Sequence, residues 1–269
     1  MVKSRISGRL AWPALLLCVV AAGCSDTGEV YKDEPVEQLY NEAVDAMMDG
    51  SWSKAGKAFD EVDRQHPYSV WATKAQIMGA YVAYEGSKYD DAISDADRFI
   101  QLHPGNRDTA YAYYIKAISY YEQIVDIERD QRDTQNAMNA LQDVINRFPG
   151  SRYARDARLK LDLTHDHLAG KEMEIGRFYE RRGNCVAAIN RYKRVVDQYQ
   201  STTHAPEALA RLTECYTSLG LPEEAQRDAA VLGYNYPDSD WYQDSYDLLQ
   251  GQRKGETQGW FSRVLNKVL

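Results

Sequence analysis

The sequence is poor in phenylalanine, in cysteine and in long apolar runs. Only 5 of its 269 residues are Phe, against 20 Tyr, and only 4 are Cys. Four cysteines are too few for a small disulfide scaffold. Gly and Pro contribute 17 and 8 residues, too few for a fibrous or low-complexity chain. No apolar stretch reaches the roughly 20 residues that a spanning helix needs, which excludes a polytopic membrane protein. β-Branched residues rarely alternate with polar ones, so no sheet is expected. Positive charge is scarce too: 32 Lys and Arg face 40 Asp and Glu, a formal net charge of −8. That argues against a general nucleic-acid binder, whose affinity comes from cations on phosphates. A nucleophile elbow, P-loop, HExxH motif and dinucleotide fingerprint are all missing, so no enzymatic activity, cofactor or metal site is expected. The histidines do not change this. His66 and His103 each precede a proline in equivalent contexts and read as structural, while His165 and His167, two apart, fall on different sides of a helix.

What is present begins with an N-terminal address. Lys3, Arg5 and Arg9 precede an apolar run from Leu10 to Ala22, interrupted by Pro13 and followed by Gly23-Cys24. The run is too short to span a bilayer and suits a secretory h-region. Small residues directly before a cysteine resemble the lipobox of bacterial lipoproteins, with Ala21 where a Leu is usual. The resemblance implies cleavage after residue 23 and acylation of Cys24, with no other cofactor. Several acyl chains anchor durably, at about 0.8 kcal/mol per buried CH₂. Ser25, in place of Asp, points to the outer rather than the inner membrane by analogy with lipoprotein sorting. Removing residues 1–23 takes away three positive charges and no negative ones, moving the formal charge from −8 to −11. Residues 24–34 read as an acylated, flexible tether.

The body is repetitive. Ala55, Ala92, Ala137 and Ala225 are each followed twelve residues later by a proline: Pro67, Pro104, Pro149 and Pro237. Ala188 is a fifth copy, with Gln200 in the proline's place. Twelve residues before four of these alanines stand Ala43, Ala80, Gly176 and Thr213. In the third unit Ala117 precedes Ala137 by twenty, which marks an eight-residue insertion at Asp126–Asp133. Small residues at this phase let two antiparallel helices approach closely, and the proline ends the second one. The pattern resembles the tetratricopeptide repeat. It predicts an all-α, right-handed solenoid of about five helix pairs. Gly50, Gly86, Gly183 and Gly220 fall at the turns inside the pairs, as C-caps. Ser151–Leu168 reads as an added helical stretch that runs into Lys171–Arg182 as one rod, with Gly170 weakening the join by about 1 kcal/mol. The array divides into repeats 1–3 over 35–150 and repeats 4–5 over 151–249.

Tyrosine is the informative surface residue, with an apolar body and a polar tip. First-helix positions line the groove of such arrays, which puts Tyr40, Met47, Tyr81, Tyr84, Tyr111, Tyr114 and Tyr121 there; inter-repeat packing is the competing reading. Such a groove suits a peptide of modest sequence demand. Cys185 and Cys215 lie in adjacent repeats and can pair, although two buried free thiols are the default. From 250 on, Gly251, Gly255 and Gly259 form a connector to an amphipathic segment. Trp260, Phe261, Val264, Leu265 and Val268 share one face and Arg263 and Lys267 the other. This tail suits a docking helix, with a partner favoured over the last repeat or an anionic membrane.

His66-Pro67-Tyr68-Ser69, Ala80–Tyr84, Asp97–Pro104, the charged Arg129–Asp133 and Tyr179–Gly183 followed by Ala187–Arg191 together resemble the BamD (ComL) family of the outer-membrane β-barrel assembly (BAM) machine. The resemblance covers nearly the whole chain. It implies a non-enzymatic lipoprotein on the periplasmic face of a Gram-negative outer membrane. Its C-terminal repeats would bind the POTRA domains of BamA, and its N-terminal repeats unfolded barrel proteins. Other assembly lipoproteins are implied as partners; nucleic acid is not. Asn190-Arg191 matches the segment whose arginine meets a POTRA carboxylate. Two other readings stand beside it: a periplasmic tetratricopeptide scaffold for envelope or division proteins, and a peptidoglycan hydrolase, for which no carboxylate pair or metal cluster can be placed.

Overall fold

The structure, a computed structural model, describes residues 33–127 and 129–251. Cys24 and the C-terminal segment with Trp260, Phe261, Val264, Leu265 and Val268 lie outside the described residues. Among those described there are eleven helices and no strand. They are α1 (Val36–Met48), α2 (Trp52–Gln65), α3 (Val70–Glu85), α4 (Tyr89–Leu102), α5 (Thr109–Glu122) and α6 (Arg132–Arg147), then α7 (Arg152–Arg181), α8 (Cys185–Gln198), α9 (Ala205–Ser218), α10 (Pro222–Asn235) and α11 (Asp240–Leu249). Each packs on the next. The odd helices α1, α3, α5 and α7 also touch in sequence, as do α9 and α11, whereas no two even helices make comparable contact. Odd helices therefore form the inner layer of a solenoid and even ones the outer layer.

The phased small residues are where the helices meet. Ala43, Ala80, Ala117 and Thr213, and Ala55, Ala92, Ala137, Ala188 and Ala225, are all fully buried. Gly176 is buried as well. The backbone repeats as strictly as the side chains. Four inner helices end in the same Schellman geometry, with the amides of Ser51, Lys88, Asn184 and Leu221 donating to the carbonyls of Ala46, Ala83, Tyr179 and Tyr216 at 2.8–3.0 Å. That geometry needs one left-handed residue. Gly50, Gly183 and Gly220 supply it at φ of 70–73°, but in the second repeat it is Ser87, at φ 58°, and not Gly86. Gly86 is required for space: a Cβ there would lie 3.1 Å from the Trp52 Cβ.

The outer helices end alike too. His66, His103, Phe148, Tyr199 and Tyr236 all cap them at φ between −130° and −136°. In each, the carbonyl accepts from the amide three residues on. Tyr199 adopts this shape before Gln200, so the turn belongs to the repeat, and proline only favours it.

Three features depart from five simple pairs. First, α7 runs unbroken through Gly170. Its first half packs Ala157 and Leu161 with Leu141 and Val144 of α6, and its second half packs Ala169 and Met173 with α8 and α9. Gly170 is tolerated because it is a contact: a Cβ there would meet His204 Nε2 at 3.2 Å. Second, the third-repeat insertion docks on the same rod, where His167 Nε2–H donates to the Val125 carbonyl at 2.8 Å. Third, the sequence reading missed α11 as a separate helix. It packs on α9 and α10, placing Leu249 against the core of repeats 4 and 5. It caps the array, as a terminal repeat requires.

Candidate functional site

The tyrosines predicted to line the groove are all half-buried, neither core nor freely exposed. Tyr81 on α3 lies 6.5 Å, centroid to centroid, from Tyr111 on α5. Tyr111 stacks on Tyr153 of α7 at 5.3 Å, and Tyr153 lies 5.1 Å from Tyr114. Four rings on three inner helices thus form one ladder. Tyr153 had escaped the sequence reading because it precedes the phased part of α7. Arg152 covers its ring at 4.9 Å and donates to its hydroxyl at 2.9 Å.

The polar tips meet carboxylates. Tyr114 donates to Asp156 Oδ2 at 2.6 Å and Tyr84 to Glu122 Oε1 at 3.4 Å. Burial, then Glu85, raises the Tyr81 phenol. Burial, then Glu122 and Glu85, pushes the Tyr84 phenol up to about 12. Burial raises Tyr111 and Tyr114 further. The phenols therefore stay protonated and act as donors. Lys160 pairs with Asp156 at 3.7 Å and sits 4.9 Å from the Tyr121 ring, which extends the surface along α7. Tyr40 and Met47 are not part of it. Half-buried, they pack against the core of the first repeat and outside the ring ladder, with Tyr40 4.8 Å from Trp71 and 5.6 Å from Phe59.

A groove of about 1050 Å³ lies elsewhere, between α2 and α4. It uses the α3 face carrying Gly79, Val82, Ala83 and Gly86, not the one carrying Tyr81 and Tyr84. Its walls alternate Lys54, Lys57 and Arg98 with Asp60, Asp91 and Asp95.

In the C-terminal repeats Asn190 is exposed and Arg191 half-buried on α8. Arg191 is already paired: its Nη1 lies 3.1 Å from Glu172, and Arg194 approaches the same carboxylate at 2.7 Å. Two guanidiniums share one carboxylate, which leaves one positive charge in surplus. Behind them a buried network joins α7, α8 and α9. Arg211, 4% exposed, contacts Glu214 at 3.0 Å, Glu207 at 3.5 Å and Glu180 at 3.7 Å. Glu207 also meets Arg177 at 3.2 Å, and Tyr192 donates to Glu180 at 2.6 Å. Burial works against the Arg211 charge, but Glu214, Glu180 and Glu207 outweigh it and hold the guanidinium ionised.

Among the described residues, no group of three or more His, Cys, Asp or Glu could hold a metal ion. No helix among them is long and apolar enough to cross a membrane. His66 and His103 occupy equivalent caps, and His103 Nε2 bonds Gln76 at 2.7 Å.

Comparison with known proteins bears on the whole array. A family model described as YfiO, outer membrane lipoprotein, matches residues 32–232. An outer membrane protein assembly factor BamD from Caulobacter vibrioides is 51% identical over 240 residues, covering 88% of this chain and 79% of the relative. The BamD of Rickettsia prowazekii is 44% identical over 239 residues, covering 88% and 94%. A solved tetratricopeptide-repeat protein of Bacteroides fragilis, 16% identical, aligns over 81% of this chain and 99% of its own with a TM-score of 0.49.

Proposed function

The chain belongs to the YfiO family of outer membrane lipoproteins, which includes the BamD assembly factors, and on that premise we propose that it is a lipid-anchored, non-catalytic subunit of the outer-membrane assembly machine. Acylation of Cys24 holds it to the periplasmic face of the outer membrane. Repeats 4 and 5 bind the POTRA domains of BamA, and repeats 1–3 receive unfolded barrel proteins. A scaffold of this kind works by position: it raises the local concentration of substrate beside the barrel that inserts it.

The observation that carries the reading is the Arg191–Glu172–Arg194 cluster. A surface arginine fully neutralised by its own carboxylate has little left for a partner. Here one carboxylate serves two guanidiniums, so Arg191 can turn to a partner's carboxylate while Arg194 keeps Glu172 satisfied. An ion pair desolvated in an interface is lost at about 2–5 kcal/mol when one member is removed.

On the inner face of repeats 1–3, rings offer apolar area at small entropic cost, and Glu85, Glu122 and Asp156 can accept backbone N–H groups of an extended segment.

The test is Arg191→Glu in the full, lipidated chain. A carboxylate at 191 faces Glu172, but Arg194 remains, so folding should change by no more than about 1 kcal/mol. Recovery of BamA should fall at least tenfold. A variant that melts normally and recovers BamA at wild-type strength removes Arg191 from the interface.

A further inference from the structure

The cysteines of the fourth and fifth repeats have no place in the function above. Cys185 opens α8, and Cys215 lies in the last turn of α9. Both belong to one apolar cluster, with Tyr192, Tyr216 and Ala188: Cys215 is buried in it and Cys185 packs half-buried against it. Cys185 is among the groups that raise the Cys215 thiol, behind burial and Glu180. Ser218 closes the group, with its Oγ donating to the Cys215 carbonyl at 2.8 Å and lying 3.2 Å from Cys185 Sγ. The fold therefore brings two thiols, thirty positions apart in sequence, to one point between neighbouring helices, and neither thiol has a metal or a catalytic partner there.

We propose that Cys185 and Cys215 are a disulfide-forming pair that staples α8 to α9 when the chain meets a thiol oxidant. The proposal takes its oxidising compartment from the export argued above. The oxidant is a protein or small-molecule disulfide. Cys185, the more exposed, loses its proton and attacks one sulfur of the oxidant, forming a mixed disulfide while the oxidant's other sulfur leaves as a thiolate. Cys215 then gives up its proton and attacks the Cys185 sulfur, expelling the second thiolate. Two thiols are oxidised by two electrons, one disulfide becomes two thiols, and two protons pass to them.

Burial, followed by Glu180, raises the Cys215 thiol well above its ordinary value. The second step is therefore the slow one, and the closed bond, shielded from solvent, is slow to reopen. The staple ties the start of the helix that carries Arg191 to the next repeat, and so stiffens the surface assigned to BamA.

The test has two arms. In the first, cells making the full chain are acid-quenched, and free thiols are alkylated under denaturing conditions. After reduction, newly exposed thiols take a heavier reagent. Tryptic peptides 183–191 and 212–227 should both carry the heavy label, and in Cys185→Ser the peptide with Cys215 should carry the light one. Light label on both wild-type peptides overturns the proposal, as does heavy label on Cys215 in the Cys185→Ser chain. In the second arm, the purified full chain in detergent is incubated with oxidised glutathione. It should lose both thiols, and its melting temperature should rise by several degrees, reversed by reductant. Neither Cys185→Ser nor Cys215→Ser should gain in melting temperature, and Cys215→Ser should stop at a mixed disulfide between Cys185 and glutathione. Two thiols still titratable in the native oxidised chain overturn the pairing wherever the protein resides. If fractionation instead finds the chain in the cytoplasm, the export reading falls while the glutathione arm still decides the pair.

Discussion

Gly176 shows how a single residue is dictated from across an interface. On the solvent side of a helix, Gly→Ala would gain about 1 kcal/mol from helix propensity. At 176 a Cβ would stand 2.3 Å from Cε1 of Tyr192, whose ring is fully buried and whose hydroxyl is bonded to Glu180. The ring cannot yield without breaking that bond, so overpacking wins. Gly176→Ala should destabilise the fold by about 1–3 kcal/mol. Urea denaturation checks it, and Tyr192→Leu in the same chain should recover part of the loss by vacating the ring's space. An unchanged or raised midpoint for Gly176→Ala alone would show that Tyr192 moves freely.

At the scale of elements, α7 and α9 are joined by a buried charge network as well as by apolar packing. Arg177 and Glu180 on α7 face Glu207, Arg211 and Glu214 on α9, and Glu174 pairs with Arg177 along α7 itself. Carboxylates outnumber guanidiniums in this group, and Glu214 is the one that yields. Its burial, against the pull of Arg211 and with the push of Glu180, holds its pKa well above the ordinary carboxylate range. The folded chain thus binds this proton more tightly than the unfolded one. Its stabilising effect is complete below the unfolded pKa and lost as pH rises through the raised folded value. Glu214→Gln reproduces the protonated acid: its amide oxygen can accept from Arg211 and its NH₂ can donate to Glu180. The variant should match wild type near pH 4 and exceed it at pH 9 by about 1.4 kcal/mol for each unit by which the folded pKa is displaced. Denaturant titrations at the two pH values read this directly. A variant less stable than wild type at pH 9 would mean the carboxylate is ionised and needed.

For the whole molecule, α7 divides the work. Its first half completes the tyrosine surface through Tyr153, Asp156 and Lys160, and its second half carries Glu172 beneath Arg191. The two surfaces should therefore fail separately. Tyr84→Ala with Tyr121→Ala removes two members that lie outside the Tyr111–Tyr153–Tyr114 stack. Each ring is half-buried, so its loss should cost less than the 3–5 kcal/mol of a fully buried aromatic. Photocrosslinking to an unfolded barrel protein should drop several-fold while recovery of BamA stays at wild-type level, the reverse of Arg191→Glu. Loss of both activities in a well-folded double variant would show that the two surfaces are coupled through α7.

The sequence by itself determined the all-α repeat, because the spacing of small residues is local and phased over five units, four of them closed by a proline. It also marked Gly170 as the weak joint of a rod and the insertion in the third unit. Three-dimensional packing decided what no periodicity carries. Ser87 takes the left-handed turn because the helix ends one residue past Gly86, where the Lys88 amide reaches back to Ala83, while Gly86 sits close against Trp52. Tyr40 and Met47 share helical phase with the ladder tyrosines, yet both pack against the core of the first repeat, Tyr40 beside Trp71 and Phe59. Arg191 reads as a free charge until the fold brings Glu172 and Arg194 to it. The two thiols read as separate until α8 and α9 are laid side by side. Helical phase is a short-range property of the chain, whereas contacts between residues on different helices are set only when the helices and repeats pack, and those contacts decide which side chains remain available to a partner.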